Sequence, residues 1–565
     1  MPKKINPKKS GASLRSEKKK RSYVIALKSK LLRRYFKCIF LNMGKFFVKI
    51  LAAVLLFTGN AHSEQVSDEV LLRRTYLTLA GRVPTLEETK NYLKSPDHDK
   101  LVVNLLKSED YVQSFYNYYA DLFRIKANID GVGFLKFYPY IDWVKNNIRE
   151  NKPYDQMVRE MLTAEGKMIE NPAAGYYARD NGMPLDNFSY TMQVFLGKDL
   201  SCAQCHDDPF NDWTQMDFYQ SAAFFAQNIT RDPSIGQVSR RIDEEIMEIR
   251  ETDRVDNAIR QLLRGNGYGS FKNQNAVLKL PHDYRYDDAE PNSVVSPYTP
   301  FGDVVTSGDS GVFAEWIIKQ HDFSVAASNR LWGFVTGDPL ISRLAEVDIT
   351  ESKNEELSRK LANKFEELNY DVRSFLHFLV TSNVFKQENG IKTRRLTAEQ
   401  AWDSLVTIAG GVPAPIDRSG YSDFVNLDLA SLTGQGAIDA MEQYRDFTKK
   451  LPRPKQIGSL PIVRASDLER RTDFLKKFGA SERELIDSSS VNGSSGQVLL
   501  LINGEITNSL SHKDSILMKD PSIENIFLST LTRQPTLQEK SALRQLSPAD
   551  IVWAVINSNE FLFIQ

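Results

Sequence analysis

The chain has 565 residues, 41% of them hydrophobic and 25% charged. That length leaves room for several packed domains, and that balance is the ordinary globular one. The formal net charge of zero is an average over unlike parts: residues 1–42 carry fourteen Lys/Arg against the single acid Glu17, net +13, whereas from Glu64 onward 56 basic face 71 acidic residues, net −15. An acidic body lacks the cationic footprint that sequence-independent nucleic-acid binding needs, so nucleic acid is excluded as a partner.

In chain order, residues 1–42 read as a basic extension, disordered or a start-site artefact. Residues 43–63 read as a signal peptide. Met43-Gly-Lys-Phe-Phe-Val-Lys-Ile is cationic, the apolar run Ile50 to Phe57 follows, and Ala61-His62-Ser63 places small residues for cleavage after Ser63. The run is short for a membrane span. An uncleaved anchor with a basic cytosolic tail is the competing reading. Export puts the body in the periplasm or at the cell surface, with membrane or surface association as an expected setting. It also removes Cys38 and leaves two cysteines, Cys202 and Cys205, in an oxidising compartment.

The body is predicted to be mainly α. Apolar residues recur at the helical period over Val66 to Leu79, Thr85 to Leu93, Lys100 to Leu106, Asp110 to Arg124, Tyr140 to Ile148 and Tyr154 to Leu162. The same period returns over Gly311 to Val335, Glu355 to Leu368, Val372 to Val380 and Thr397 to Ile408. Residues 64–264 are read as one helical domain and residues 311–565 as a second. Residues 265–310, rich in Gly, Asn, Pro, Tyr and Asp, are read as an irregular connection. Residues 487–497, "DSSSVNGSSGQ", are predicted to be a flexible loop.

The two ends of the body repeat. Arg82, Pro84, Thr85, Leu86 and Glu88 recur as Arg533, Pro535, Thr536, Leu537 and Glu539. "LLKSEDY" (Leu105 to Tyr111) recurs as "VINSNEF" (Val555 to Phe561), with an echo, "LVTSNVF" (Leu379 to Phe385), midway. The bland reading is a helix–turn–helix packing unit used more than once, with the two ends packed together.

The chemistry-bearing stretch is "CAQCHDDPF", Cys202 to Phe210. With three cysteines and seven histidines in the chain, chance would supply C-x-x-C-H only about twice in ten thousand such sequences. In the haem reading, Cys202 and Cys205 add to the two vinyl groups and His206 becomes the proximal iron ligand. Phe210, Trp213, Phe218, Tyr219, Phe224 and Phe225 follow within sixteen residues, and Thr214 and Asp217 read as a capping-box start for a helix from Gln215 to Gln227. Phe210 and Trp213 are the candidates for contact with the flat cofactor, and core packing is the bland reading of the set. His282 in "LPHDY" is the candidate sixth ligand. Met183, Met192 and Met216 are nearer in sequence, and His321 and His377 lie in helical patterns and read as surface or core histidines. An open sixth position is the other option. Two readings compete with haem c: a zinc or other metal site that adds Asp207 or Asp208 to the motif, and a disulfide. Zinc would need ligands from a second segment, and no second Cys/His pair exists. A redox disulfide would need a βαβ context.

These stretches, with "NKPYDQMVREMLTAEG" (Asn151 to Gly166), "ASNRLWGFVTG" (Ala327 to Gly337) and "RRLTAEQAWDSL" (Arg394 to Leu405), resemble the secreted planctomycete-type proteins that pair a surface cytochrome-like domain with a planctomycete surface domain. The cytochrome name rests on this same C-x-x-C-H motif, and the family's function is largely unassigned. Where the family motif carries a second histidine, this chain has Asp208. The reading is therefore an exported protein with one covalent haem c, working in electron transfer or haem-based redox chemistry with a redox partner protein. The rivals are a non-catalytic surface or scaffold protein whose motif is a disulfide or metal clip, and a metal-dependent hydrolase using the acids of 207–217. No nucleophile–base pair can be picked from the sequence. Arg330 and Trp332 in "NRLW" read as a helix-packing anchor with Arg330 paired to an acid, and the acids of 283–290 as solvated.

Overall fold

The structure, a computed structural model, describes residues 64–126, 137–180, 182–299, 310–418, 420–451, 453–468, 472–486, 489–490 and 492–565. The predicted basic extension and the predicted signal peptide lie outside the described residues. The described chain is mainly helical, as expected, and Gln65–Gln565 packs as one unit around an apolar cluster that runs from Leu71 to Ile564. No helix among the described residues is long and apolar enough to cross a membrane.

Local sequence starts most helices. Ser67, Asp97, Ser108 and Asp371 cap Asp68–Thr75, His98–Leu106, Glu109–Leu122 and Val372–Thr381 through side-chain oxygens. Capping boxes at Thr85 and Thr397 open Leu86–Lys94 and Ala398–Gly410. The first helix widens into a π turn, Tyr76–Ala80, and ends on Gly81 at φ +66°. A Cβ there would stand 2.5 Å from Ser114 Oγ, so the neighbouring helix fixes glycine as firmly as the dihedral does.

The repeated units have the same geometry. In the first, Arg82 donates to Glu88 at 2.8 and 2.9 Å and to Asp110 at 2.6 and 3.1 Å, and lies over Tyr76. In the second, Arg533 donates to Glu539 at 2.8 and 2.9 Å and to Glu560 at 2.5 and 2.7 Å, and lies over Phe527. All three Ser-x-x-aromatic segments form one device. Ser108, Ser382 and Ser558 each donate Oγ–H to the carbonyl three residues back and accept the aromatic residue's N–H. The ends also pack together: Arg73 donates to the carbonyls of Thr530 and Phe561, and Lys90 to Asn525.

Four segments differ from their sequence reading. The stretch 265–310, read as irregular, begins with the end of the helix Asn257–Asn266 and a strand, Tyr268–Lys272. That strand, β3, is central in an antiparallel sheet of order β1-β3-β2 with β1 (Gly166–Lys167) and β2 (Asn228–Arg231). A Cβ at Gly269 would fall 2.1 Å from Gly166 O, so glycine is what lets β1 close on β3. The loop predicted over 487–497 gives way to a helix, Ser495–Asn503, started by a capping box between Ser494 and Gln497. The single helix expected over Gly311 to Val335 is two, Ser310–Ile317 and His321–Thr336. The helix expected to run from Gln215 to Gln227 stops at Ala222 and tightens into a 3-10 turn, Ala223–Phe225.

The C-x-x-C-H turn as candidate functional site

The helix Pro184–Phe195 delivers the chain to the motif. Its last carbonyls are received by Arg330, which is buried and donates to Gln193 O at 3.1 Å, Val194 O at 2.9 Å and Leu344 O at 2.7 Å. A cation on a helix C-terminus satisfies carbonyls that lack an intrahelical partner. Arg330 is thus an anchor, but the hydrogen bonds it makes here go to carbonyls where an acid was expected, and what it anchors is the approach to the site.

The motif itself is a tight turn. Cys202 O accepts the N–H groups of Cys205 at 3.1 Å and His206 at 3.2 Å. Ala203 is buried beneath it, Cys202 is half-buried and Cys205 exposed. Both thiols are free. Burial, and then the carboxylates of Asp208, Asp199 and Glu346, push the Cys202 thiol up. Such a cysteine stays a thiol at neutral pH, unlike the electropositive, low-pKa cysteine of a redox C-x-x-C.

The imidazole of His206 is held through one nitrogen. Nδ1 lies 2.8 Å from Asp207 O. A carbonyl only accepts, so Nδ1 carries a proton, which in the neutral imidazole leaves the lone pair on Nε2. Nε2 has no partner among the described residues. This is the arrangement of a histidine ready to ligate a metal, with the second nitrogen fixed by a carbonyl.

Both aspartates that follow are structural. Asp207 Oδ1 accepts Gln215 N–H at 2.8 Å, at the start of the helix Gln215–Ala222, and Asp207 N–H donates to Tyr286 Oη at 2.7 Å. Asp208 N–H donates to Trp213 O at 2.8 Å. The Asp208 carboxylate folds the next loop by accepting Phe210 N–H at 2.8 Å and Asn211 Nδ2 at 3.3 Å. Thr214 and Asp217 form the expected capping box. Among the described residues, no three His, Cys, Asp or Glu side chains converge as a metal ion would require.

The aromatic residues divide. Phe218, Phe224 and Phe225 pack with Phe188 and Phe313 in the core, as the bland reading had it. Trp213 is half-buried against the core, while Phe210 is 84% exposed beside the motif. Of the sixth-ligand candidates, Met192 is fully buried, Met216 half-buried and Met183 about half exposed. His321 and His377 sit beside Glu366 and Asp99 on the surface. His282 has an 87% exposed side chain, and its neighbour is Asp283 at 4.0 Å. Its segment does reach the motif, but through Tyr286 rather than through the histidine.

Residues 49–230 match the family model PSCyt2: Protein of unknown function (DUF1549). Residues 311–547 match PSD1: Protein of unknown function (DUF1553). No curated protein and no solved structure matches the chain. The PSCyt2 match contains the whole C-x-x-C-H turn and the first repeat unit, and the PSD1 match contains Arg330 and the start of the second. Tyr286 lies in neither. The sequence offered one signal for it: Tyr284 and Tyr286 stand two apart in an otherwise polar stretch, one buried and one half-buried. Nothing in sequence joined them to a histidine some eighty positions earlier.

Proposed function

We propose that the chain is an exported haem protein carrying one haem c on Cys202 and Cys205, with His206 as proximal ligand, and that it works in electron transfer or haem-based redox chemistry. The observation that carries this reading is His206: its Nδ1–H is committed to Asp207 O while Nε2 has no partner among the described residues. The residues present fit the group. Two unpaired thiols flank one turn, neither tied into a disulfide. The exposed Phe210 ring beside them is apolar surface that a flat macrocycle could cover, a gain of about 25 cal/mol per Å² removed from water.

When bound, the iron would supply one-electron redox chemistry. Cys202 and Cys205 would hold the porphyrin by thioethers, each thiol giving its sulfur and its hydrogen to a vinyl group, with no oxidant consumed. Asp207 would hold the imidazole, and Arg330 the helix behind it. The Asp208 carboxylate, engaged with two donors of its own loop, speaks against the zinc alternative that uses it.

The test is an absorption spectrum of the chain exported in a host with cytochrome c maturation machinery, before and after dithionite. A sharp reduced α-band that survives denaturation and disappears in Cys202→Ala/Cys205→Ala is the expected result. A colourless protein from that host would overturn the reading. Thiol titration and metal analysis of the same sample would then divide a disulfide staple from a metal clip.

A further inference from the structure

The orientation of His206 depends on a residue outside the motif. Asp207 O, which receives Nδ1–H, belongs to the peptide between Asp207 and Asp208. The N–H of that peptide donates to Trp213 O at 2.8 Å. The peptide before it, between His206 and Asp207, donates its N–H to Tyr286 Oη at 2.7 Å. The Asp207 side chain is fixed in turn by Gln215 N–H at 2.8 Å. Among the described residues, every hydrogen bond that aims the carbonyl is local except one, and that one comes from Tyr286.

Tyr286 is placed to hold. Its segment leaves the body and returns through a closed base, with Leu280 N–H on Ser293 O and Val295 N–H on Leu278 O, both at 3.0 Å. Tyr284 is buried, bonds Asp288 Oδ1 at 2.6 Å and packs edge-on against the Tyr286 ring. Beyond the base, Tyr298 exchanges hydrogen bonds with Gln220 and Ser221 on the helix that follows the motif. The strap is thus closed at its base, fastened beyond the base to that helix, and hydrogen-bonded to the motif through the Tyr286 hydroxyl.

We infer that Tyr286 is a positioning residue for His206: acting through the Asp207 peptide, the strap 278–295 controls which imidazole nitrogen is presented outward. This rests on the reading of His206 as the ligand, but it concerns the protein's own hydrogen bonds and is testable without haem. An unrestrained imidazole favours the Nε2–H tautomer, so retention of Nδ1–H requires the carbonyl to stay aimed.

The experiment is long-range ¹⁵N–¹H spectroscopy of the imidazoles in the ¹⁵N-labelled mature chain without haem, with His206 assigned by its loss in His206→Gln. The wild type is expected to show Nδ1–H at neutral pH. Tyr286→Phe keeps the ring and its packing and removes the hydroxyl. Losing one hydrogen bond should shift the tautomer ratio about fivefold toward Nε2–H. Asp287→Asn, an exposed change on the same strap, should leave the ratio where it was. An Nε2–H wild type, or a ratio unmoved by Tyr286→Phe, would overturn the inference. Wild-type chain that takes up no haem, yet shifts tautomer in Tyr286→Phe, would sink the haem reading and leave the positioning role standing. Covalent haem with an unmoved ratio would do the reverse.

Discussion

The two repeated units set one constellation in two environments. Arg82 and Arg533 each clamp a glutamate of their own capping box and an acid from the following element, and each lies over an aromatic ring. Yet the Arg82 side chain is 1% exposed and the Arg533 side chain 27%. In the first unit Asp110 goes on to receive Arg464 at 2.6 Å, and Arg464 reaches Asp403 at 2.8 Å, so the clamp continues into a buried network. Burial pushes Asp403 up to about 6 even with Arg464 beside it. In the second unit the hydrogen bonds from Arg533 hold Glu539 down at about 2. Despite its burial, Glu88 is likewise held below the usual carboxylate range by Arg82, so local sequence builds the same clamp twice, and what burial changes is the Asp403 that the first unit's network adds.

Breaking the buried network should have the largest effect. Arg464→Ala leaves Asp403 buried beside a lost cation and takes one of two arginines from Asp110, and is expected to destabilise the chain by about 3–5 kcal/mol, read from the urea midpoint. A loss below about 1 kcal/mol would mean that this network behaves like a surface pair. The shared serine caps come next. Ser558→Ala removes both the N-cap acceptor and the Oγ–H donor, for an expected loss of about 1 kcal/mol, and Ser108→Ala should match it, since the device is the same in both units. Unequal losses would show that burial reaches even the caps.

The smallest effect belongs to the half-buried clamp of the second unit. Arg533→Ala should cost no more than about 1 kcal/mol at neutral pH. Its signature is the acid limb of the stability curve. The folded pKa of Glu539 lies below its unfolded value near 4.5, so its contribution is complete above that pH and is lost as the pH falls toward about 2. Arg533→Ala should flatten that limb, measured as urea midpoints across the window. An unchanged slope would assign acid lability elsewhere.

Much of this was legible in sequence because it is local. The capping boxes at Thr85, Thr214 and Thr536, the Ser-x-x-aromatic turns and the C-x-x-C-H turn all depend on residues within a few positions of one another. The helices Ile235–Arg250 and Gly434–Lys450 were not legible. The first is crowded with charge and buries only Ile242 and Ile246, and the second opens on Gly-Gln-Gly, which reads as a break although Thr433 caps it. The two pack on each other, and that contact supplies what each lacks alone.

The sequence by itself determined the helical class, the duplicated clamp and the pairing of two thiols with one histidine. Helix period, cap spacing and turn length are set by backbone geometry within a few residues, so they survive any environment. Tertiary structure alone decided that Arg82 is buried and Arg533 is not, that Arg330 seats the helix before the motif, and that Tyr286 reaches Asp207. Each of these joins groups far apart in the chain, and their energies depend on solvent exclusion that no local pattern encodes.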